Sequence, residues 1–177
     1  GVAVIGDNAL HGLNKRNITI PESVRRIEKE AFTYATLNTI TIPKSVMSIE
    51  ANAFYYMNIT SKNIKVLNPQ PSVFDRYAFG SSRGFYYLNG IRLYVPPGCK
   101  TAYETVIGRE VFRKIMEMGD VNGDGTVNIT DVILTVNHIL GNTPDKFDKV
   151  AADMNGDDVI NISDITQMVQ AILESTY

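Results

Sequence analysis

Cysteine and histidine are nearly absent from this chain, and their scarcity removes whole classes of chemistry. Cys99 is the single cysteine, so no disulfide can form within the chain and cysteine usage says nothing of redox compartment. Its setting, after Pro97-Gly98, reads as a thiol in a structural turn. The two histidines, His11 and His138, have no serine, cysteine or carboxylate at catalytic spacing. Zinc-ligand spacing and glycine-rich phosphate loops are missing too, so no enzyme is expected. No apolar run reaches the roughly 18 residues of a membrane helix, which argues against membrane insertion. Residues 1–5 lack a charged n-region, so any export signal is expected to lie outside this stretch.

What is present divides in two. Residues 1–115 hold 15 Lys+Arg against 8 Asp+Glu, a net +7, whereas residues 116–177 hold 2 against 11, a net −9. Such asymmetry points to two units with different tasks. The positive residues are scattered among Glu22, Glu28, Glu30 and Glu50, which argues against a nucleic-acid partner. The acidic part has regular apolar spacing, so its charge points to cation binding and not to disorder.

The first 115 residues repeat. Ile27-Glu28-Lys29-Glu30-Ala31-Phe32 recurs as Ile49-Glu50-Ala51-Asn52-Ala53-Phe54, with further copies at Ile5-Gly6-Asp7-Asn8-Ala9-Leu10 and Phe74-Asp75-Arg76-Tyr77-Ala78-Phe79. The alanines at 9, 31, 53 and 78 are spaced by 22, 22 and 25. Before them stand Thr19-Ile20-Pro21 and Thr41-Ile42-Pro43, and a later relative is Tyr94-Val95-Pro96. Leu37-x-x-Ile40-x-Ile42 alternates as a short strand does, and proline then ends the ladder for want of a backbone donor. A unit this small cannot bury its apolar side alone, so coils must stack. The period and the L-x-x-L-x-L spacing are those of a leucine-rich-repeat solenoid.

The pattern I-x-I-P-x-x-V-x-x-I-x-x-x-A-F resembles the BspA-like leucine-rich repeats of bacterial surface proteins. Leu13, Ala35 and Met57 stand where that family usually carries a cysteine, a change of core packing only. The ending Leu93-Tyr94-Val95-Pro96-Pro97-Gly98-Cys99-Lys100-Thr101-Ala102-Tyr103 also resembles the family's, with a capping helix expected from Lys100 to Ile107, followed by Val111-Phe112. The first copy starts in mid-repeat, so a longer array is expected. The resemblance implies a secreted or cell-surface bacterial protein that adheres to a protein or glycan target. The alternating outward residues Thr19, Thr39, Thr41, Lys65, Arg92 and Tyr94 are candidates to line such a surface.

Residues 116–177 carry a duplicated loop. Asp120, Asn122, Asp124, Gly125, Thr126 and Asp131 occupy positions 1, 3, 5, 6, 7 and 12 of a D-x-[DN]-x-[DN]-G pattern. Calcium takes six to eight hard oxygens at about 2.3–2.6 Å. Side chains at 1, 3 and 5, the carbonyl at 7 and a carboxylate at 12 supply them, while glycine at 6 allows the sharp turn. The second copy, 33 residues on, places Asp153, Asn155, Asp157, Val159 and Asp164 at positions 1, 3, 5, 7 and 12. Asp158 replaces its turn glycine, so the second of the two expected Ca2+ sites is expected to be the weaker. Two ions would bring the net charge of this part from −9 to −5.

One helix follows each loop, and the pairs Val132/Ile165, Val136/Val169, Ile139/Ile172 and Leu140/Leu173 form an i, i+4, i+7, i+8 stripe expected to pack as a small core. Gly141 is placed to end the first helix. Loop-helix units with Asp at position 12, duplicated within 70 residues, resemble a type I dockerin. The fold expected is therefore two-domain: a β-rich leucine-rich-repeat solenoid plus a small α-helical, EF-hand-like dockerin domain. The resemblance implies a cohesin-like partner met by loop positions 10 and 11 and an exposed helix face. Those positions hold Ile129-Thr130 and Ile162-Ser163. By analogy with EF-hand loops the two isoleucines are expected in the core, leaving Thr130, Ser163, Ile133 and Met168 as the candidate contacts. An alternative reading keeps the calcium but makes the module a structural cap or spacer, because only Met116-Glu117-Met118-Gly119 separate the two parts.

Overall fold

The computed structural model describes all residues except 16, 76, 81–89, 108–110 and 176–177. Arg76 of the last repeat motif thus lies outside the described residues. The N-terminal part is a β-solenoid of about four coils. Strands β1 (Val4–Ile5), β3 (Arg26–Ile27) and β6 (Ser48–Ile49) stack in parallel on one side. A second ladder joins β4 (Thr36–Leu37) to β7 (Asn58–Ile59). The widest sheet is parallel and runs β2 (Asn17–Thr19), β5 (Thr39–Ile42), β8 (Asn63–Val66), β9 (Arg92–Val95) and β10 (Lys114–Glu117). Since β10 reaches Glu117, the solenoid's sheet extends two residues past the boundary read at 115/116.

Register turns the repeat into ladders. Ile18, Ile40, Ile64, Leu93 and Ile115 are successive rungs of the inward column in the five-stranded sheet. Ala31, Ala53 and Ala78 are fully buried at one corner, where Phe32, Phe54 and Phe79 stack with ring centroids 5.3 and 5.0 Å apart. The small residue lets the chain turn tightly enough for each backbone to reach the next coil. Phe32 N–H donates to the Ala53 carbonyl at 2.7 Å and Phe54 N–H to that of Ala78 at 2.9 Å. Helix α1 (Lys100–Ile107) sits where the sequence placed a cap and buries Tyr103 and Ile107.

The opposite, outward column of the same sheet reads Thr19, Thr41, Lys65, Tyr94, Met116. In an isolated solenoid these would face water. Here Lys65, Tyr94 and Met116 are buried, because the C-terminal part lies across them. Its elements are α2 (Ile129–Ile139), α3 (Lys149–Ala152) and α4 (Ile162–Glu174). Tyr94, Met116 and Met118 share one apolar cluster with Val121, Val132, Ala151, Ala152, Met154 and Met168. The surface expected to receive a target is therefore covered over its Lys65 and Tyr94 end. Thr39 and Thr41 are half-buried, while Thr19 and Arg92 remain exposed.

The linker is tight for a steric reason. Gly119 has φ +92°, and a Cβ there would lie 2.8 Å from Val127 Cγ1. Gly119 N–H donates to the Ala151 carbonyl at 2.8 Å, tying the crossing point to α3.

Candidate metal centre

Both loops are built by the same set of side-chain turns. In the first, Asn122 Oδ1 accepts from Asp124 N–H and Asp124 Oδ1 accepts from Thr126 N–H, each at 2.8 Å. Asn128 caps α2, and Asp131 answers as the reciprocal half of a capping box. Asp131 accepts from Val121 N–H at 3.0 Å on Oδ1 and from Asn128 N–H at 2.9 Å on Oδ2. The second loop repeats this bond for bond. Asn155 and Asp157 make the paired turns at 2.9 and 2.8 Å, and Asn161 caps α4. Asp164 accepts from Met154 and Asn161 N–H at 2.9 Å each. Thus the side chains at positions 3, 5 and 12 are held in each loop by hydrogen bonds from the loop's own backbone.

The carboxylates at positions 1 and 12 are buried in both loops: Asp120, Asp131, Asp153 and Asp164. Burying negative charge without a partner is costly, and two acids in one loop compound it. Burial pushes the Asp131 carboxyl above its ordinary value; three backbone N–H groups oppose the shift, and Asp120 adds to it. Asp120 Oδ2 accepts from Gly125 N–H at 3.0 Å, but its Oδ1 is buried with no hydrogen-bond partner. An orphaned buried carboxylate oxygen beside a second buried acid is an electrostatic deficit that a hard divalent cation would fill. The first loop therefore fits calcium. Among the described residues no group of three His, Cys, Asp or Glu is placed to hold a metal ion, although each motif contains three aspartates.

The second loop differs at its first position. Asp153 Oδ1 accepts from Gly156 N–H at 2.8 Å and Asp157 N–H at 3.2 Å, while Oδ2 accepts from Asp158 N–H at 3.0 Å. Oδ2 also takes an ion pair from Lys65 Nζ of the solenoid, which donates in addition to the Asp153 carbonyl at 3.3 Å. Asp158 takes the place of a turn glycine at φ +65°, against +91° for Gly125. A second bridge joins the two parts: Tyr94 O–H donates to Asp148 Oδ2 at 2.8 Å, and Asp148 Oδ1 caps α3 through Val150 and Ala151 N–H. Burial, together with the Asp148 charge, raises the Tyr94 phenol far above its ordinary range.

The candidate contact residues divide. Thr130, Ser163 and Ile133 are exposed, as expected. Met168 is not: it is 0% exposed, with Thr135 O–H donating to its sulfur at 3.6 Å. The reason is helical phase. Asp164 must face its loop, and Met168 lies four residues on, on the same side. That i+4 relation was available in the sequence. Ile129 and Ile162 correct the reading in the other direction, being 62% and 70% exposed. Each is the first residue after the N-cap, two positions from the inward aspartate, so it points away from the core.

The expected stripe is likewise only half internal. Val132 is buried and Ile165, Val136 and Ile172 are half-buried, whereas Ile139, Leu140, Val169 and Leu173 are exposed. The inner seam runs through Val132, Thr135 and Met168 because the position-12 acids set the rotation of both helices. Gly141 does end α2, at φ +89°. The histidines serve packing: His138 stacks on Phe147 at 4.6 Å, and His11 meets the edge of Tyr34 at 5.5 Å.

The comparisons with known proteins agree with this geometry. A model described as a BspA type Leucine rich repeat region matches residues 3–93 in six copies, two more than the sequence motif alone resolves. A model described as a Dockerin type I domain matches residues 118–173. No curated protein sequence matches the chain. Dockerin type I domains bind calcium. Both kinds of module are non-catalytic and serve protein interaction, and both are typical of extracellular or surface proteins. No described helix is long and apolar enough to cross a membrane. With more than half of its 177 residues matched as repeats, the chain belongs to the BspA-type leucine-rich-repeat family and carries a type I dockerin domain behind those repeats.

Proposed function

We propose that the chain is a non-catalytic recognition or adhesion protein, secreted or held at a bacterial cell surface, whose dockerin binds two Ca2+ and docks onto a cohesin-like protein. In this reading residues 1–115 are the recognition array, for a protein or glycan target, and residues 116–177 the docking module. The first ion takes Asp120, Asn122, Asp124, the Thr126 carbonyl and Asp131. The second takes Asp153, Asn155, Asp157, the Val159 carbonyl and Asp164. Calcium supplies the positive charge that the buried Asp120 and Asp131 lack, and so couples loop closure to helix rotation.

The observation that carries the docking reading is what α2 and α4 leave uncovered. One side of the module is seated on the solenoid, yet Ile129, Ile133, Leu140 and Ile162 remain exposed on the other, beside Thr130 and Ser163. Large apolar side chains left exposed on a module already packed elsewhere are suited to contact with a partner. The test is binding of the whole chain to a panel of purified cohesin domains, with calcium and with chelator. Calcium-dependent binding that Ile129→Asp and Ile162→Asp together abolish is the expected result. Failure against every cohesin would refute docking and leave the second reading. That reading, a calcium-stabilised cap or spacer, is favoured by one feature: the module already buries Lys65, Tyr94 and Met116 of the solenoid sheet.

A further inference from the structure

The two loops match in every turn and cap, and differ in what meets the position-1 carboxylate. Asp120 keeps one buried oxygen without a partner. Its counterpart Asp153 has a buried ammonium on it, delivered not by the module but by β8 of the solenoid, 88 residues away in sequence. We propose that Lys65 is a tethered cation for the second calcium loop, so that seating the dockerin on the solenoid lowers the calcium affinity of that loop through a direct ion pair to its position-1 carboxylate. The proposal rests on the reading of the second loop as a calcium site.

The argument is one of charge and reach. Lys65 is a rung of the outward column, between Thr41 and Tyr94, so the sheet register aims it at the loop. Its side chain and that of Asp153 are each 4% exposed, so water screens the pair little. An ion entering the loop must share Asp153 with an ammonium in direct contact, whereas Lys100 and Lys114 line the cleft beside Asp120 and Asp124 of the first loop without taking the place of such a pair. Binding and seating therefore oppose each other, and linkage makes this reciprocal: calcium in the second loop weakens the hold of the module on β8 and β9. Gly156, at position 4 of this loop, lies so close to the array that a Cβ would be 2.8 Å from Thr41 Cγ2. The same loop thus carries both the second calcium site and a large share of the contact.

The experiment is a calcium titration of the whole chain by calorimetry, with amide NMR to assign each site. Gly125 N–H, bonded to Asp120, reports the first loop, and Asp158 N–H, bonded to Asp153, the second. In wild type the Asp158 signal should respond at higher calcium than the Gly125 signal. Lys65→Met should move the second-loop response to roughly tenfold lower calcium and leave the first unchanged. Lys65→Arg, which keeps the charge, should resemble wild type. Two sites of equal affinity in wild type would overturn the proposal without any variant. So would a Lys65→Met chain whose second site is unmoved; in both cases the calcium reading survives. No calcium at either loop in wild type would overturn the calcium reading and this proposal together.

Discussion

Gly123 and Gly156 occupy the same position of the two loops, with φ of +73° and +74°, and only one of them touches the solenoid. A Cβ on Gly123 meets open space, whereas one on Gly156 would be 2.8 Å from Thr41 Cγ2 and 3.6 Å from Leu67 Cδ1. Alanine imposes the same backbone penalty at both, about 1–2 kcal/mol for a left-handed residue. At Gly156 the new methyl must also displace Thr41 by about half an ångström, and such overpacking costs about 1–3 kcal/mol more. Gly156→Ala is therefore expected to destabilise the chain by about 2–5 kcal/mol, and Gly123→Ala by about 1–2. Denaturant unfolding followed by circular dichroism, in chelator so that calcium affinity does not enter, measures both. Thr41→Ser removes the clashing methyl, so the double variant Gly156→Ala/Thr41→Ser should recover the excess and leave only the backbone penalty. Equal losses at the two glycines, or no recovery with serine, would refute the seating of the second loop on β5.

Three further outcomes follow from single contacts. Tyr94→Phe deletes a buried hydrogen bond to the carboxylate that caps α3, and should cost about 2 kcal/mol in denaturant unfolding at neutral pH. Because the folded phenol is held above its ordinary value, that advantage is full below about pH 10 and fades as the unfolded chain ionises above it. Asp158→Gly relieves a left-handed aspartate and should stabilise the calcium-free chain by about 1 kcal/mol, read as a higher melting temperature in chelator. Burial and, secondarily, Glu117 hold the Cys99 thiol up, so its alkylation rate should keep rising at a pH where an ordinary thiol, near about 8.5, has levelled off. A plateau at the ordinary value would show that the half-buried setting of the thiol does not hold it up.

Local patterns were legible in the sequence because their causes are local. The Ala-Phe corner, the strand alternation and the stop at proline recur at fixed spacing, since every coil repeats the same turn. The duplicated loops of the dockerin domain were legible for the same reason: each motif lies within twelve consecutive residues. Even the rotation of α2 and α4 was implicit, since an inward Asp at position 12 dictates an inward residue four places on. Without that phase, the loop pattern by itself places Met168 outward and Ile129 and Ile162 inward, the reverse of their exposures.

What the chain places far apart in sequence was decided by tertiary structure. Nothing in an alternating strand tells whether its outward column meets water or another domain. Thr41, Lys65 and Tyr94 look alike as solvent-facing rungs until the module covers the far end of the sheet. The pairing of Lys65 with Asp153, and the difference it makes between two otherwise matching loops, depend on that seating. Short-range geometry is written in each segment, whereas the environment of an exposed face depends on a neighbour 88 residues away in sequence.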